Sequence, residues 1–153
     1  MTGLNSAAVI QAAQDHLASL GIFETVNGHE ATSAPGGELT ADVWMDLIRA
    51  VPEQSGLDIT SALLTLWVRI YVPATTQPLD SIETTLAGAV DQVMGAYNAA
   101  FTFNGIVTYI DLLGAHGTPL TGQGGYVEIG GQPYRCMTIA VPCVIDDVWS
   151  QTP

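Results

Sequence analysis

The chain has 153 residues and a net charge of −12, set by 15 acids against three bases, Arg49, Arg69 and Arg135, with no lysine. Such a surface repels nucleic-acid phosphates and anionic lipid, which argues against sequence-specific DNA binding but suits a wall that DNA must pass without sticking. A chain this long buries roughly 70% of its unfolded surface as one domain and needs neither a disulfide nor a metal staple.

Ser6 is placed to cap a helix running to about Leu20, with Ile10, Ala13, Leu17 and Leu20 on one stripe and Gly21 as the stop. Ile22 to Val26 reads as a short strand. Asn27 to Ala41 reads as a long loop by its Gly, Pro and Ser content, and loops of that length in compact domains are functional or disordered. From Asp42 to Val51 a strand is expected, with Val43, Met45, Leu47 and Val51 on an apolar face and Trp44, Asp46 and Ile48 on the other. Pro52 and Ser55-Gly56 end it.

The next strand, Thr60 to Val72, is the most informative stretch, because successive side chains point to opposite faces. Ala62, Leu64, Leu66, Val68 and Ile70 form an aliphatic face for the domain's own core. Leu63, Thr65, Trp67, Arg69 and Tyr71 form a face of different character. Trp, Tyr and Arg are enriched where protein surfaces meet, so this face is covered either by a partner or by another layer of its own chain. Pro73 and Pro78 close the strand. A second helix starts at Asp80, with Glu83 in capping-box spacing and a stripe of Ile82, Leu86, Ala89, Val90, Val93 and Tyr97. Gly88 and Gly95 within it imply close backbone approach or adaptability.

The last third reads as β: a strand from Gly105 to Leu113, a loop from Gly114 to Gly124, a short strand from Gly125 to Ile129, and a hairpin turn at Gly130-Gly131. The closing strand, Tyr134 to Ile145, buries Met137, Ile139, Val141, Cys143 and Ile145, and Pro142 marks it as an edge or a bulge. A tail from Asp146 to Pro153 carries Trp149, a residue that docks on something when it sits in a polar terminus. With no repeat or linker, residues 1–153 are expected to form a single α+β domain, a mostly antiparallel sheet with two helices packed on one face.

Cys136 and Cys143 would lie on opposite faces of one strand, roughly 23 Å apart, too far for a disulfide, and read as core residues of a reducing compartment. The opening residues do not form a signal peptide and no apolar run is long enough to cross a bilayer, so a soluble chain made in the cytoplasm is expected. His16, His29 and His116 have no second ligand at metal spacing. Asp15-His16 reads as solvated surface, and Asp111 with His116 has no nucleophile beside it. Gly122, Gly124 and Gly125 lack the strand-to-helix context and lysine of a phosphate loop, and Asp146-Asp147 lacks further oxygen ligands for a divalent ion. No catalytic residue, metal or cofactor is therefore expected.

Taken in order, Gly21-Ile22-Phe23, Trp44, Pro52, Ser55-Gly56-Leu57, Val68-Arg69-Ile70-Tyr71, Asp80, Asp111, Gly125-Tyr126, Tyr134-Arg135, Pro142 and Asp146-Asp147-Val148-Trp149 resemble the tail terminator proteins of long-tailed bacteriophages, often labelled minor tail proteins. The resemblance runs over most of the chain, and its pieces are short. It implies a virion protein, assembled in the host cytoplasm, that forms a homohexameric ring at the head-proximal end of the tail. Such a ring ends growth of the tail tube and presents the docking surface for the neck or head-closure protein, while genomic DNA passes through the lumen unbound.

A ring needs a heterologous contact between different patches of neighbouring copies. Trp44, Trp67, Arg69, Tyr71 and Arg135 are the expected interface residues, with Arg69 and Arg135 pairing carboxylates either across the interface or within the chain. His29, Pro35, Gly36 and Trp149 are expected to contact the tube or neck. A head-closure connector or the tube subunit itself is the nearest structural alternative, and a small-ligand-binding protein or enzyme the alternative of another class.

Overall fold

The computed structural model describes residues 3–35 and 38–153. Asn5 accepts the N–H of Ala8 and so caps helix α1, Ser6–Ser19, one residue ahead of the expected Ser6. The chain continues as β1, Thr25–Asn27; β2, Thr40–Ala50; β3, Ile59–Pro73; α2, Ser81–Ala99; β4, Tyr109–Ile110; β5, Thr121–Ile129; and β6, Gln132–Ser150. The strands form one mixed sheet in the order β1-β2-β3-β6-β4, with β5 also paired to β6. β1 runs parallel to β2 and every other pairing is antiparallel.

Both helices pack on one face, as expected. Val9, Ala13 and Leu17 of α1 and Ile82, Leu86, Ala89, Val93 and Tyr97 of α2 share a core with Leu64, Leu66, Val68 and Ile70 of β3 and Ile139, Val141 and Cys143 of β6. The α1 stripe centres on Val9 rather than Ile10 and Leu20, which lie at its margin. Val90 of the α2 stripe is likewise only partly buried. Gly88 and Gly95 are solvent-facing, and a Cβ at either would meet nothing within 4 Å, so close backbone approach inside the chain is not their role. Asp80 stands at the N-cap of α2 with helical dihedrals, φ −63° and ψ −18°, and makes no side-chain hydrogen bond to the helix, while Glu83, the other half of the expected box, turns to Arg135.

Several expectations fail for one physical reason, a shift of register. Between Met45 and Leu47 the β2–β3 ladder slips by one residue, so Asp46 bulges and Leu47 changes face. Met45 and Ile48 then share the helix side and Leu47 the opposite side, and they are 45%, 41% and 45% exposed rather than buried in one row. A second shift between Thr60 and Ala62, with Asp147 at φ 57°, carries β6 past Ile145 to Ser150. The expected tail is therefore strand, with Trp149 opposite Thr60.

Three boundaries move. The short strand begins at Thr25 rather than Ile22. The expected Gly105–Leu113 strand contracts to Tyr109–Ile110, because Phe103, Asn104 and Gly105 all take positive φ in the turns before it. β5 starts at Thr121, so Gly122 and Gly124 join Gly125 in the strand rather than lying in the loop before it. Gly130 and Gly131, at φ 58° and 79°, make the expected hairpin turn. Pro142 lies inside the sheet, opposite Thr65 of β3. Its carbonyl accepts from Asp111 N–H at 2.8 Å, so its missing donor points to the gap between the ends of β5 and β4, where no ladder bond is lost.

A candidate interface on the open sheet face

The face of the sheet away from the helices is sealed at both ends by the chain itself. At one end Tyr71, Ile129, Tyr134 and Cys136 cluster beneath the loop after β1, where Ala31 packs on them and the Pro35 carbonyl accepts from Tyr134 Oη at 3.1 Å. At the other end Val51, Leu63 and Val144 pack with Tyr109. There Tyr109 Oη meets His116 Nε2 at 2.7 Å, and His116 Nδ1 lies 3.5 Å from Glu53.

Between these seals lies an open band. Trp44 and Trp67 are cross-strand partners at its centre, and the Arg69 guanidinium sits 4.9 Å above the Trp44 ring centroid. Cation–π contacts of this kind contribute about 0.5–1 kcal/mol when exposed and ~2 when desolvated. Arg69 Nε also donates to Thr138 Oγ1 at 3.5 Å. These residues, with Glu30, Asp46 and the β5 stretch from Gln123, surround a hollow of about 540 Å³.

Among the described residues Arg69 has no carboxylate partner: the one arginine–carboxylate pair is Arg135–Glu83, and the Glu53 carboxylate lies beside His116. Asp42 stands opposite Arg69 in the ladder, but its carboxylate accepts from Tyr71 Oη and, at 2.9 Å, from Asn27 Nδ2. Burial first, and then the Asp42 hydrogen bond, push the Tyr71 phenol well above its ordinary range, so it stays a donor. The β3 face is thus partly covered by its own chain and partly open.

The expected interface residues separate accordingly. Trp44, Trp67 and Arg69 come together, all partly exposed. Tyr71 has no exposed surface and cannot touch a partner directly; it seats Asp42 instead. Arg135 lies on the helix side, with Nε on Glu83 Oε1 at 2.7 Å, Nη1 on the Gly125 carbonyl at 2.9 Å, and its guanidinium 5.0 Å from the Tyr126 ring. Its carboxylate is intrachain, and the pair holds the Glu83 carboxyl below its usual range.

Of the expected tube or neck residues, His29 is exposed beside the Glu30 carbonyl and Pro35 lies over Tyr134, whereas Trp149, 38% exposed, is at the far end of β6. Trp149 pairs with Thr60 and Tyr134 with Pro73, so at the usual strand rise they lie roughly 40 Å apart and the two groups serve opposite ends of the sheet. Gly36 lies outside the described residues.

Sequence reasoning missed Asp42, Glu30, Gln123 and Thr138. Only Asp42, an acid in an otherwise apolar strand start, carried a signal. Asp111 does not orient His116: its two oxygens take the N–H groups of Ala115 and His116, both at 2.8 Å, which makes it the staple of a turn. Among the described residues no cluster of three metal-ligating side chains occurs, and no helix is long and apolar enough to cross a membrane. No protein-family model and no curated protein matches the chain.

Proposed function

We propose that this chain is a tail-terminator-like structural protein of a long-tailed bacteriophage, acting as a homohexameric ring on the head-proximal end of the tail tube. The ring ends tube polymerisation and offers the neck or head-closure protein its docking surface. The observation that carries the ring reading is the open band at Trp44, Trp67 and Arg69. An aromatic pair with a guanidinium that has no carboxylate, on a chain of net charge −12, is a surface composed for an acidic protein partner, and a second copy is one. The lack of lysine suits a lumen that must release DNA.

The test is to add purified chain to polymerising tube subunits of the same virion and to measure tube lengths by negative-stain electron microscopy. Shortened tubes bearing one terminal ring support the proposal. Unchanged lengths with no end-bound density sink it, and incorporation along the whole tube identifies a tube subunit instead.

A further inference from the structure

We propose that two copies join by adding the β2 edge of one to the β5 edge of the next, as a continued antiparallel sheet. This rests on the ring reading in taking a second copy as the partner. β1 covers β2 only from Thr40 to Asp42, so Val43–Ala50 has one side without a partner strand among the described residues. β5 pairs only with β6 and forms the other open edge. Open edges in lone proteins carry lysine, proline or inward charges that prevent pairing. Thr121 to Val127 has none of these.

Direction is compatible. The run β2-β3-β6-β5 is antiparallel throughout, so β5 runs opposite to β2. Copies related by rotation about an axis along the strands therefore bring β5 antiparallel to the next β2, with all helices on the same side, and the contact is heterologous.

Side chains are complementary as well. On the helix side, Gly122 puts no side chain on the β5 edge, the Arg135 guanidinium lies over Gly124, and beside them α2 and β6 line an apolar groove of about 550 Å³ with Val90, Met94 and Met137. Met45 and Ile48 are the exposed apolar side chains on the helix side of β2, and a continued sheet sets them over that groove.

A heterologous contact has a signature that an isologous one lacks. Met45→Glu/Ile48→Glu removes one edge and Gly122→Asp the other; Ala87→Glu, at the exposed groove rim on α2, is a second β5-side variant that leaves the strand untouched. Sedimentation velocity up to about 1 mM reads the association. The expected result is that wild type assembles, each variant alone is monomeric, and an equimolar mixture of a β2-edge and a β5-edge variant gives a 1:1 dimer and nothing larger. Wild-type rings that survive in both variants overturn the strand pairing and leave the ring reading standing. Wild type that stays monomeric also overturns the pairing, while tube capping then judges the ring reading separately. Assembly through these edges with no effect on tube length retains the pairing and removes the terminator role.

Discussion

Asp42 and Arg69 stand opposite one another across β2 and β3 and form no ion pair, because Tyr71 and Asn27 occupy the carboxylate. An acid and a base that could neutralise each other are instead kept apart by a buried phenol. Asp42 is spent on the interior and Arg69 is left on the open band.

Tyr71→Phe removes that donor from a buried carboxylate. Leaving such a group short of a partner costs about 1–3 kcal/mol. Thermal denaturation should show a Tm lower by roughly 2–4 °C for each kcal/mol, with an Asp42 oxygen freed to draw Arg69 inward and self-association weakened. An unchanged Tm contradicts this assignment of Tyr71.

Arg69→Ala should leave the fold intact, since Arg69 makes no buried ion pair, and should reduce self-association at least tenfold, equivalent to about 1.4 kcal/mol. Arg69→Lys keeps the charge but loses the planar stack on Trp44 and should recover only part of it. By contrast, Glu83→Gln breaks an intrachain pair and should not change association directly. Sedimentation velocity across the three variants distinguishes these outcomes.

Above neutral pH the fold should weaken in a defined window. Burial raises the folded-state pKa of Tyr71 and Tyr97 above the ordinary 10.0, and pushes the Cys143 thiol from 9.0 up to about 12. For groups raised in this way the stabilisation is complete below the unfolded value and is lost as pH rises past it. Chemical denaturation should therefore give constant stability from these groups below pH 9 and a decline above it. Tyr97→Phe, which also relieves a buried hydroxyl without a hydrogen bond, should flatten that decline.

Cys136 and Cys143 lie in separate clusters on opposite faces of β6, and both are buried and unpaired. A thiol reagent should react slowly with native protein and release two equivalents together on unfolding. Rapid reaction of one thiol in native protein counts against the described packing.

The aliphatic face of β3 was legible in the sequence because Ala62, Leu64, Leu66, Val68 and Ile70 fall at strand period and are all fully buried. The same period misled at β2, where one residue, Asp46, reverses the faces, and no residue type announces a bulge of that kind. Trp149 read as a docking tail because pairing to Thr60 is a long-range fact. At the site, Trp67 and Arg69 could be found from residue type alone. That Tyr71 lies beneath the loop carrying Ala31 and Pro35, and that Arg135 meets Glu83, depend on contacts far apart in the chain.

The most direct test of the central claim is electron microscopy of particles made by the parent phage when this chain is absent. The account predicts filled heads beside unattached tubes of uncontrolled length. Normal tails joined to heads would contradict it.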